Sequence, residues 1–427
     1  MSEIMTINQP HGWKLYRLAQ VFDERKQKAS DKDFDALSVT MQGIVPQLET
    51  AAKTDDGDNR KLVRKGDYVI NSRSDRKGSG GISPYDGTVS LISIVLRPRS
   101  DLKPEFAHHL LRSVAFQEEF YRVGHGIVAD LWTTRYSEMK SIRFFLPAPP
   151  VQKRIAAFLD RETARIDELI AKKGRFLAKA DERWKATLNH GIFPGSPDWS
   201  FLPEGWRKVQ LKYLTDQSRP IMYGIVLPGP NVEEGPMIVK GGDVKPERLS
   251  PDRLCRTTYE IEASYKRSRL KAGDLVISIR GGIGDIEIVP AEIEGANLTQ
   301  DAARIAPGTS VDAVWLRYAL QTPAVFHPLE AKSLGAAVRG INIFDLKRVY
   351  IPTPPLEEQT RIGQRLVQHE ERLQELRTAV VRHADRLREY RAALITAAVT
   401  GQIDVETYGK AGKTSATLDR IEEEMQA

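Results

Sequence analysis

The sequence has very little of what builds disulfides or membrane spans. Its 427 residues include one cysteine, Cys255, which excludes an internal disulfide and a cysteine-based metal cluster. No apolar run approaches the roughly 18 residues of a membrane helix, and residues 1–13 lack the apolar core of a signal peptide. We therefore expect a cytoplasmic protein with no membrane partner.

Motifs of the common enzyme classes are also missing. The segment Gly412–Thr414 ends like a phosphate-binding loop, but Thr407 stands where that loop needs its first glycine. The glycine-rich segment Arg280–Asp285 follows a predicted strand, yet no helix follows it to hold a dinucleotide pyrophosphate. The histidines show no metal-ligand spacing. We predict that the chain is not an enzyme and binds no metal or cofactor of its own.

One catalytic alternative stays open. Glu330 and Lys332 match the Glu-x-Lys end of some nuclease metal sites, which need a further carboxylate close by to share a divalent ion. The nearest Pro-Asp pair, Pro251–Asp252, is distant in the sequence. A nuclease is therefore the least favoured hypothesis for this chain.

The composition indicates a globular protein of two or three domains. Hydrophobic residues make up 41% of the chain and charged residues 28%, and the length is sufficient for more than one core. Lysine and arginine number 63 against 57 acidic residues, which gives a net charge of +6. This balance permits nucleic-acid binding but is only a weak indication of it.

The strongest pattern lies between Pro354 and Ile403. Apolar residues recur there every seventh residue, and a second series is offset to give the 4-3 spacing of a coiled coil. About 42 residues of this helix would extend roughly 60 Å. The residues of this helix that we expect at a helix–helix interface are Leu366, Leu373, Leu376, Val380, Leu387 and Leu394.

A second long helix is predicted earlier in the chain, over Val151–Ile192. Two prolines precede it and suit a helix entry, and Gly191 suits its exit. Gly174 lies inside it and costs about 1 kcal/mol relative to alanine. The interface residues expected on this helix are Ile155, Leu159, Ile166, Leu169 and Trp184.

The two halves of the chain repeat one order of landmarks, at separations of 193 to 210 residues. The repeated landmarks are a Gly-Trp pair (12–13 and 205–206), a Gly-Asp turn entering a strand (66–70 and 273–277), a Pro-Pro pair (149–150 and 354–355), a Gln-x-x-Ile sequence (152–155 and 359–362) and, more loosely, a glycine that ends each long helix (191 and 401). The chain is therefore predicted to be a tandem duplication of a globular domain followed by a long helix.

This duplication predicts the architecture. Two long helices that alternate with globular domains most economically bury their seams against each other as an antiparallel coiled coil. We predict an α+β protein of two mixed α/β domains separated by these helices, with an internal pseudo-two-fold repeat. The predicted bounds are 1–150 for the first domain, 151–192 for the central helix, 193–353 for the second domain, 354–405 for the distal helix and 406–427 for a polar tail.

Basic loops that recur in both halves are candidates for DNA contact. Arginine suits the O6/N7 edge of guanine, asparagine suits adenine, and glycines let backbone approach phosphates. The candidates in the first half are Asn71, Arg73, Arg76, Lys77, His125 and Arg135. Those in the second half are Lys266, Arg267, Arg280, Lys332, Arg339 and Asn342.

Pro-Pro, an apolar residue and Gln-x-x-Ile at the start of a long heptad helix, twice in one chain, resembles the specificity subunit of type I restriction-modification systems. The resemblance covers nearly the whole chain and is strongest at Pro147–Ile192 and Ile351–Val405. It implies a non-catalytic DNA-binding subunit. Each globular half would be a target recognition domain for one part of a bipartite double-stranded DNA sequence, and the helices would set the spacer between the parts.

The same resemblance implies partners that carry the chemistry. Two methyltransferase subunits with S-adenosylmethionine would dock on the paired helices and modify an adenine in each half-site. Restriction subunits that use ATP and magnesium would translocate and cleave unmethylated DNA, as an endonuclease complex. The alternative from another class is a coiled-coil structural adaptor without DNA binding.

Overall fold

The computed structural model describes residues 9–47, 57–73, 78–126, 132–194, 199–333 and 340–408. The chain divides into two compact units. The first unit consists of residues 1–174 and 379–427, and the second of residues 175–378. Each unit therefore contains one globular part, a segment of the first long helix and a segment of the second. No helix among the described residues is both long and apolar enough to cross a membrane.

In the described residues, the part of the first unit that precedes the long helix has eleven strands and four short helices. Its strands are β1 (Lys14–Arg17), β2 (Phe22–Glu24), β3 (Lys28–Ala29), β4 (Leu37–Thr40), β5 (Gly43–Pro46), β6 (Arg60–Val63), β7 (Tyr68–Asn71), β8 (Gly80–Ile82), β9 (Gly87–Val89), β10 (Ser93–Pro98) and β11 (Arg143–Leu146). Its short helices are α1 (Leu18–Val21), α2 (Pro104–Leu110), α3 (Val114–Arg122) and α4 (Tyr136–Met139). The long helix α5 (Pro149–Ile192) follows and continues into the second unit.

The globular part of the second unit, as far as the structure describes it, has nine strands and four short α-helices. Its strands are β12 (Arg207–Gln210), β13 (Met222–Tyr223), β14 (Met237–Val239), β15 (Cys255–Arg256), β16 (Leu275–Ser278), β17 (Ile286–Ile288), β18 (Asn297–Leu298), β19 (Ala302–Ile305) and β20 (Tyr350–Thr353). Its helices are α6 (Tyr259–Ala263), α7 (Ala313–Gln321), α8 (Pro323–Ser333) and α9 (Ile343–Arg348), with 3₁₀ turns at Leu211–Tyr213, Gly241–Asp243, Lys266–Ser268 and Ala291–Ile293. The second long helix is α10 (Leu356–Val399).

The two units share one sheet topology, which confirms the predicted duplication and the α+β class. The first unit has a four-stranded antiparallel sheet in the order β2-β10-β7-β8, and the second has β13-β19-β16-β17 in the same arrangement. A two-stranded sheet, β1-β11 or β12-β20, precedes each long helix. The three-stranded sheets differ, because β3-β6-β9 is antiparallel whereas β14 in β15-β14-β18 pairs with β18 in parallel. The first unit also has the antiparallel pair β4-β5.

The long helices have equal lengths, although their openings differ in sequence. Each contains 44 residues. Pro149 and Pro150 lie inside the first turn of α5, whereas the prolines at 354–355 precede α10. Proline is tolerated in a first turn, where its missing N–H has no helical acceptor. α5 has two residues fewer than α10 between its proline pair and its glutamine, and it therefore starts on the prolines themselves.

Within each unit the two helix segments run antiparallel. In the first unit Arg154 forms an ion pair with Glu406 at 2.6 Å, and Asp167 forms one with Arg391 at 3.0 Å. The residue farther along the first helix therefore pairs with the residue earlier in the C-terminal segment. In the second unit Asp181 pairs with Arg377 at 2.7 Å. Gly191, farther along α5, lies against Leu366, nearer the start of α10. The antiparallel pairing predicted from the heptads is thus present in each unit.

Most predicted seam residues are buried in one of two cores. In the first unit Ile155, Leu159 and Ile166 share a core with Leu387 and Leu394. In the second, Leu366 is fully buried, Trp184 packs against the core that contains it, and Leu373 is 8% exposed. Leu376 and Val380 are partly buried.

Leu169 does not follow the prediction. Its side chain is 40% exposed, and Ile170 packs against the core of the first unit instead. The physical reason is the helical period: the residue four positions after Ile166 continues the buried stripe, and the residue three positions after it points away.

A glutamine attaches each long helix to the globular part that precedes it. Gln359 accepts a hydrogen bond from the Asp312 N–H at 2.9 Å and donates to the carbonyls of Pro354 at 2.9 Å and Ser310 at 3.4 Å. Gln152 does the same in the first unit, with the Lys103 N–H and the carbonyls of Asp101 and Pro147, each at 2.9 Å. The repeated Gln-x-x-Ile motif thus has a structural role.

We expect Gln359→Ala to lower the free energy of unfolding of the second unit by roughly 2–3 kcal/mol, because it leaves buried backbone groups without partners. Gln364→Ala is the matched control, since Gln364 is exposed on the same helix; it should cost less than about 0.5 kcal/mol. Urea unfolding of the full chain measures both variants. Equal losses would contradict the role assigned to Gln359.

Candidate nucleic-acid interface

In the first unit, the loop after β7 is joined to the segment before α4. Arg73 forms an antiparallel bridge with Thr133, and the Thr134 N–H donates to the Ser72 carbonyl at 3.0 Å. Thr133 also exchanges two backbone hydrogen bonds with His125, at 2.9 and 3.0 Å. Three segments that are distant in the sequence therefore meet at one surface and bring Arg73, His125 and Arg135 close together.

The side chains of this surface have distinct roles. Arg73 and Arg135 are exposed. His125 Nδ1 lies 2.9 Å from Glu138 Oε1, while Glu138 Oε2 accepts the Arg135 backbone N–H at 2.7 Å. Glu138 thereby anchors both residues from the first turn of α4. The two guanidinium groups remain the groups best placed for an anionic or base-edge partner.

Asn71 does not have the exposed position that a predicted DNA contact requires. Its side chain belongs to a residue only 5% exposed, and its Oδ1 accepts the Arg73 N–H at 3.0 Å. An asparagine that bonds to backbone two residues on shapes a turn. Asn71 therefore orients the Arg73 loop from inside the sheet, where it cannot reach a base edge.

The second unit repeats this arrangement. Arg280 forms an antiparallel bridge with Gly340, and the Ile341 N–H donates to the Ile279 carbonyl at 2.9 Å. Asn342 begins α9, where its Oδ1 accepts the Phe344 N–H at 2.9 Å. Arg280 and Asn342, which are 62 residues apart in the sequence, are thus neighbours.

A cleft of about 350 Å³ opens between these residues. Tyr223 and Gln300 also line it, beside Arg280 and Asn342. Tyr223 is 47% exposed and lies on β13, the edge strand paired with β19. An exposed tyrosine beside amide and guanidinium groups is suited to stacking and hydrogen bonding with bases. Sequence reasoning missed both residues, since only strand pairing brings them to this loop.

Gly340 allows the Arg280 side chain to lie close to the backbone. A Cβ at this position would stand 3.2 Å from Arg280 Cγ and 3.2 Å from the Ile279 carbonyl oxygen. Both distances are shorter than ordinary van der Waals contact. Glycine at position 340 therefore lets the aliphatic part of the Arg280 side chain pack against the backbone there.

The other candidates of the second unit lie elsewhere. Lys266 and Arg267 are exposed on a 3₁₀ turn whose Arg267 carbonyl accepts a hydrogen bond from buried Arg304 at 2.8 Å. Burial lowers the pKa of the Arg304 guanidinium, which also donates to the Arg269 and Pro220 carbonyls. Arg304 thus has a structural role. Neither Lys266 nor Arg267 lines the cleft.

Lys332 belongs to a different surface. Its Nζ lies 2.9 Å from Asp345 Oδ1, beside a cavity of about 230 Å³ that Trp199 and Tyr350 also line. Three further candidates, Arg76, Lys77 and Arg339, lie outside the described residues. Within the described ranges, no group of three or more histidine, cysteine or acidic side chains is placed to hold a metal ion.

Comparison with known proteins gives a family match over part of the chain. Residues 232–382 match the family model described as the type I restriction modification DNA specificity domain. The type I restriction enzyme EcoBI specificity subunit of Escherichia coli is 28% identical over 242 residues, a match that covers 52% of this chain and 51% of that subunit. Residues 232–382 thus match a type I restriction specificity domain, and the chain is similar to type I restriction specificity subunits.

A second relative is similar over more of the chain. The putative type I restriction enzyme MjaX specificity subunit of Methanocaldococcus jannaschii is 24% identical over 363 residues, covering 80% of this chain and 78% of that one. The match to the EcoBI subunit, in contrast, spans about half the length of that relative. Members of this family are non-catalytic subunits.

Solved structures share the fold. A chain from work on the assembly and conformational transition of a type I restriction-modification system has a TM-score of 0.72 at 22% identity, covering 93% of this chain and 100% of that one. The HsdS subunit of Thermoanaerobacter tengcongensis has a TM-score of 0.55 at 22% identity, with coverages of 93% and 99%. The duplicated α+β architecture is therefore that of known specificity subunits.

Proposed function

We propose that this chain is the non-catalytic DNA sequence-specificity subunit of a cytoplasmic type I restriction-modification complex. Each globular part recognises one half of a bipartite double-stranded DNA target. The observation that carries the proposal is the duplicated loop arrangement: Arg73 beside Arg135 in the first unit, and Arg280 beside Asn342 in the second. Exposed arginine and asparagine side chains on a fixed backbone are the groups that read base edges.

The proposed partners follow from the family. Two methyltransferase subunits dock on α5 and α10, bind S-adenosylmethionine and modify an adenine in each half-site. Restriction subunits with ATP and magnesium complete the complex. The number of residues in the paired helices sets the spacer between the half-sites. The family assignment supports these partners, and the absence of recognised catalytic motifs in the sequence agrees with chemistry that resides in other subunits.

The first test is DNA binding by the complex of this chain with its methyltransferase subunits. The affinity for target DNA is expected to fall steeply with salt, because lysine and arginine contacts release counterions from phosphates. A complex that contacts six or more phosphates should lose about a thousandfold in affinity between 50 and 200 mM salt. Absent or salt-insensitive binding would instead support the coiled-coil adaptor.

The nuclease alternative has its own control. The purified chain alone, with magnesium or manganese and supercoiled DNA, is expected to produce no cleavage. Metal-dependent cleavage that disappears in Glu330→Gln would revive a nuclease built on Glu330 and Lys332. The two outcomes are read on one gel.

A further inference from the structure

The two loop arrangements correspond residue by residue. Arg73 and Arg280 are separated by 207 residues, and so are Thr133 and Gly340, and Arg135 and Asn342. Each arginine forms an antiparallel bridge to its partner at the corresponding position, and the two units share the equivalent backbone hydrogen bond, from Thr134 to Ser72 and from Ile341 to Ile279. Arg135 and Asn342 each occupy the N-cap of the short helix that follows. The backbone frame is therefore the same in both units.

The side chains on this frame are partly identical and partly different. The bridging position carries arginine in both units, whereas the N-cap position carries arginine in one and asparagine in the other. We propose that residues 135 and 342 determine which base each half-site has at one position, while Arg73 and Arg280 make the same contact in both half-sites. This inference rests on the proposed function and names the residues that distinguish the two halves.

The chemistry assigns a base to each N-cap position. The Arg135 side chain is exposed and has no ion-pair partner among the described residues, so its guanidinium can donate two hydrogen bonds to guanine O6 and N7. Asn342 Oδ1 uses one lone pair for the Phe344 N–H. Its second lone pair and its amide N–H groups remain to bind adenine N6 and N7.

The surroundings of Asn342 favour a base over a phosphate. The cleft of about 350 Å³ places Tyr223 and Gln300 on the walls beside Asn342, and both offer polar or stacking contacts that a base edge can use. A phosphate contact would need concentrated positive charge, and among the described residues Arg280 is the one charged side chain that lines this cleft. The described part of the cleft thus supplies recognition groups beside one cation.

The test is the methylation motif directed by the full chain with its methyltransferase subunits, read by sequencing of modified adenines. Asn342→Arg is expected to shift the preference at one base of one half-site from adenine to guanine by about tenfold to a hundredfold. Arg135→Asn should produce the reverse shift in the other half-site. Each variant leaves the opposite half unchanged.

Two controls separate base reading from folding. Asn342→Ser keeps an N-cap side chain but removes the amide, so it should relax the preference at that base while the complex still assembles on gel filtration. Arg73→Lys and Arg280→Lys keep the charge; they should weaken DNA binding by similar factors and leave the preferred bases at the N-cap positions unchanged.

The outcomes distinguish this inference from the proposed function. If the unaltered chain directs no bipartite motif, the proposed function fails. If it directs a motif that Asn342→Arg, Arg135→Asn and Asn342→Ser all leave unchanged, or that each single variant alters in both halves, only the assignment of residues 135 and 342 is overturned. Losses that differ more than tenfold between Arg73→Lys and Arg280→Lys would overturn the shared contact.

Discussion

Asp274→Ala is expected to lower the free energy of unfolding of the second unit by about 3–5 kcal/mol, the cost of breaking a buried ion pair from one side. Asp274 is 2% exposed and holds Arg219 through both carboxylate oxygens, with Arg219 Nη1 2.7 Å from Oδ1. It also accepts the Lys271 N–H at 2.8 Å. The substitution leaves a half-buried guanidinium and a backbone N–H without their partner.

The first unit contains an equivalent buried aspartate–arginine pair, so the same prediction applies there. Asp67, also 2% exposed, binds Arg25 at 2.7 and 3.0 Å and accepts the Arg64 N–H at 2.8 Å. Both aspartates follow a glycine with positive φ, Gly66 and Gly273, at the turn into the central strand. Asp67→Ala should therefore destabilise the first unit by a similar amount.

The matched control is Asp181→Ala, which removes an aspartate that also lies 2.7 Å from an arginine. Its side chain is 42% exposed and that of Arg377 is 38% exposed, so the loss should be below about 1 kcal/mol. Urea unfolding measures the total change, and hydrogen exchange of β16 amides localises it. A loss for Asp274→Ala no larger than that for Asp181→Ala would contradict the role of the buried pair.

Features that repeat in the sequence were predictable, because each performs the same local task twice. The Pro-Pro and Gln-x-x-Ile sequences mark the two helix starts, and the structure explains the glutamine by its three backbone partners. The Gly-Trp pairs are also explained: Gly12 and Gly205 have positive φ in turns closed by tryptophan N–H bonds to Pro10 and Pro203. Local motifs of this kind need no knowledge of distant contacts.

The candidate site was only partly predictable, because strand pairing decides its membership. Arg280 and Asn342 were found as basic or polar loop residues, but nothing local indicates that Tyr223 and Gln300 line the same cleft. Asn71 has the right side chain for base reading, yet it ends a strand in which every residue is buried. The composition of a loop therefore selects candidate residues but does not separate exposed side chains from buried ones.

At the helix interface, too, the sequence pattern did not identify every buried residue. Heptad spacing predicted Leu169 on the seam, and the helix places Ile170 there. Phe176, an aromatic residue farther along α5, is likewise 51% exposed. A seven-residue pattern drifts relative to a helix of 3.6 residues per turn, so sequence spacing alone leaves neighbouring positions unresolved.

We propose that each globular part reads its own half of a bipartite DNA sequence. Exchange of one globular part is therefore expected to have the largest effect on the recognised sequence. Replacing residues 1–148 with the equivalent part of another family member keeps both long helices, since α5 begins at Pro149. The donor must supply the backbone carbonyls and N–H that Gln152 engages. The reciprocal exchange of residues 193–355 is the matched variant.

The deciding measurement is the motif of methylated adenines in cells that carry each exchanged chain with the same methyltransferase subunits. The first exchange is expected to replace one half of the motif entirely and to leave the other half and the spacer length unchanged. The reciprocal exchange should replace only the other half. A motif that stays the same, or one that changes in both halves after a single exchange, would contradict the account.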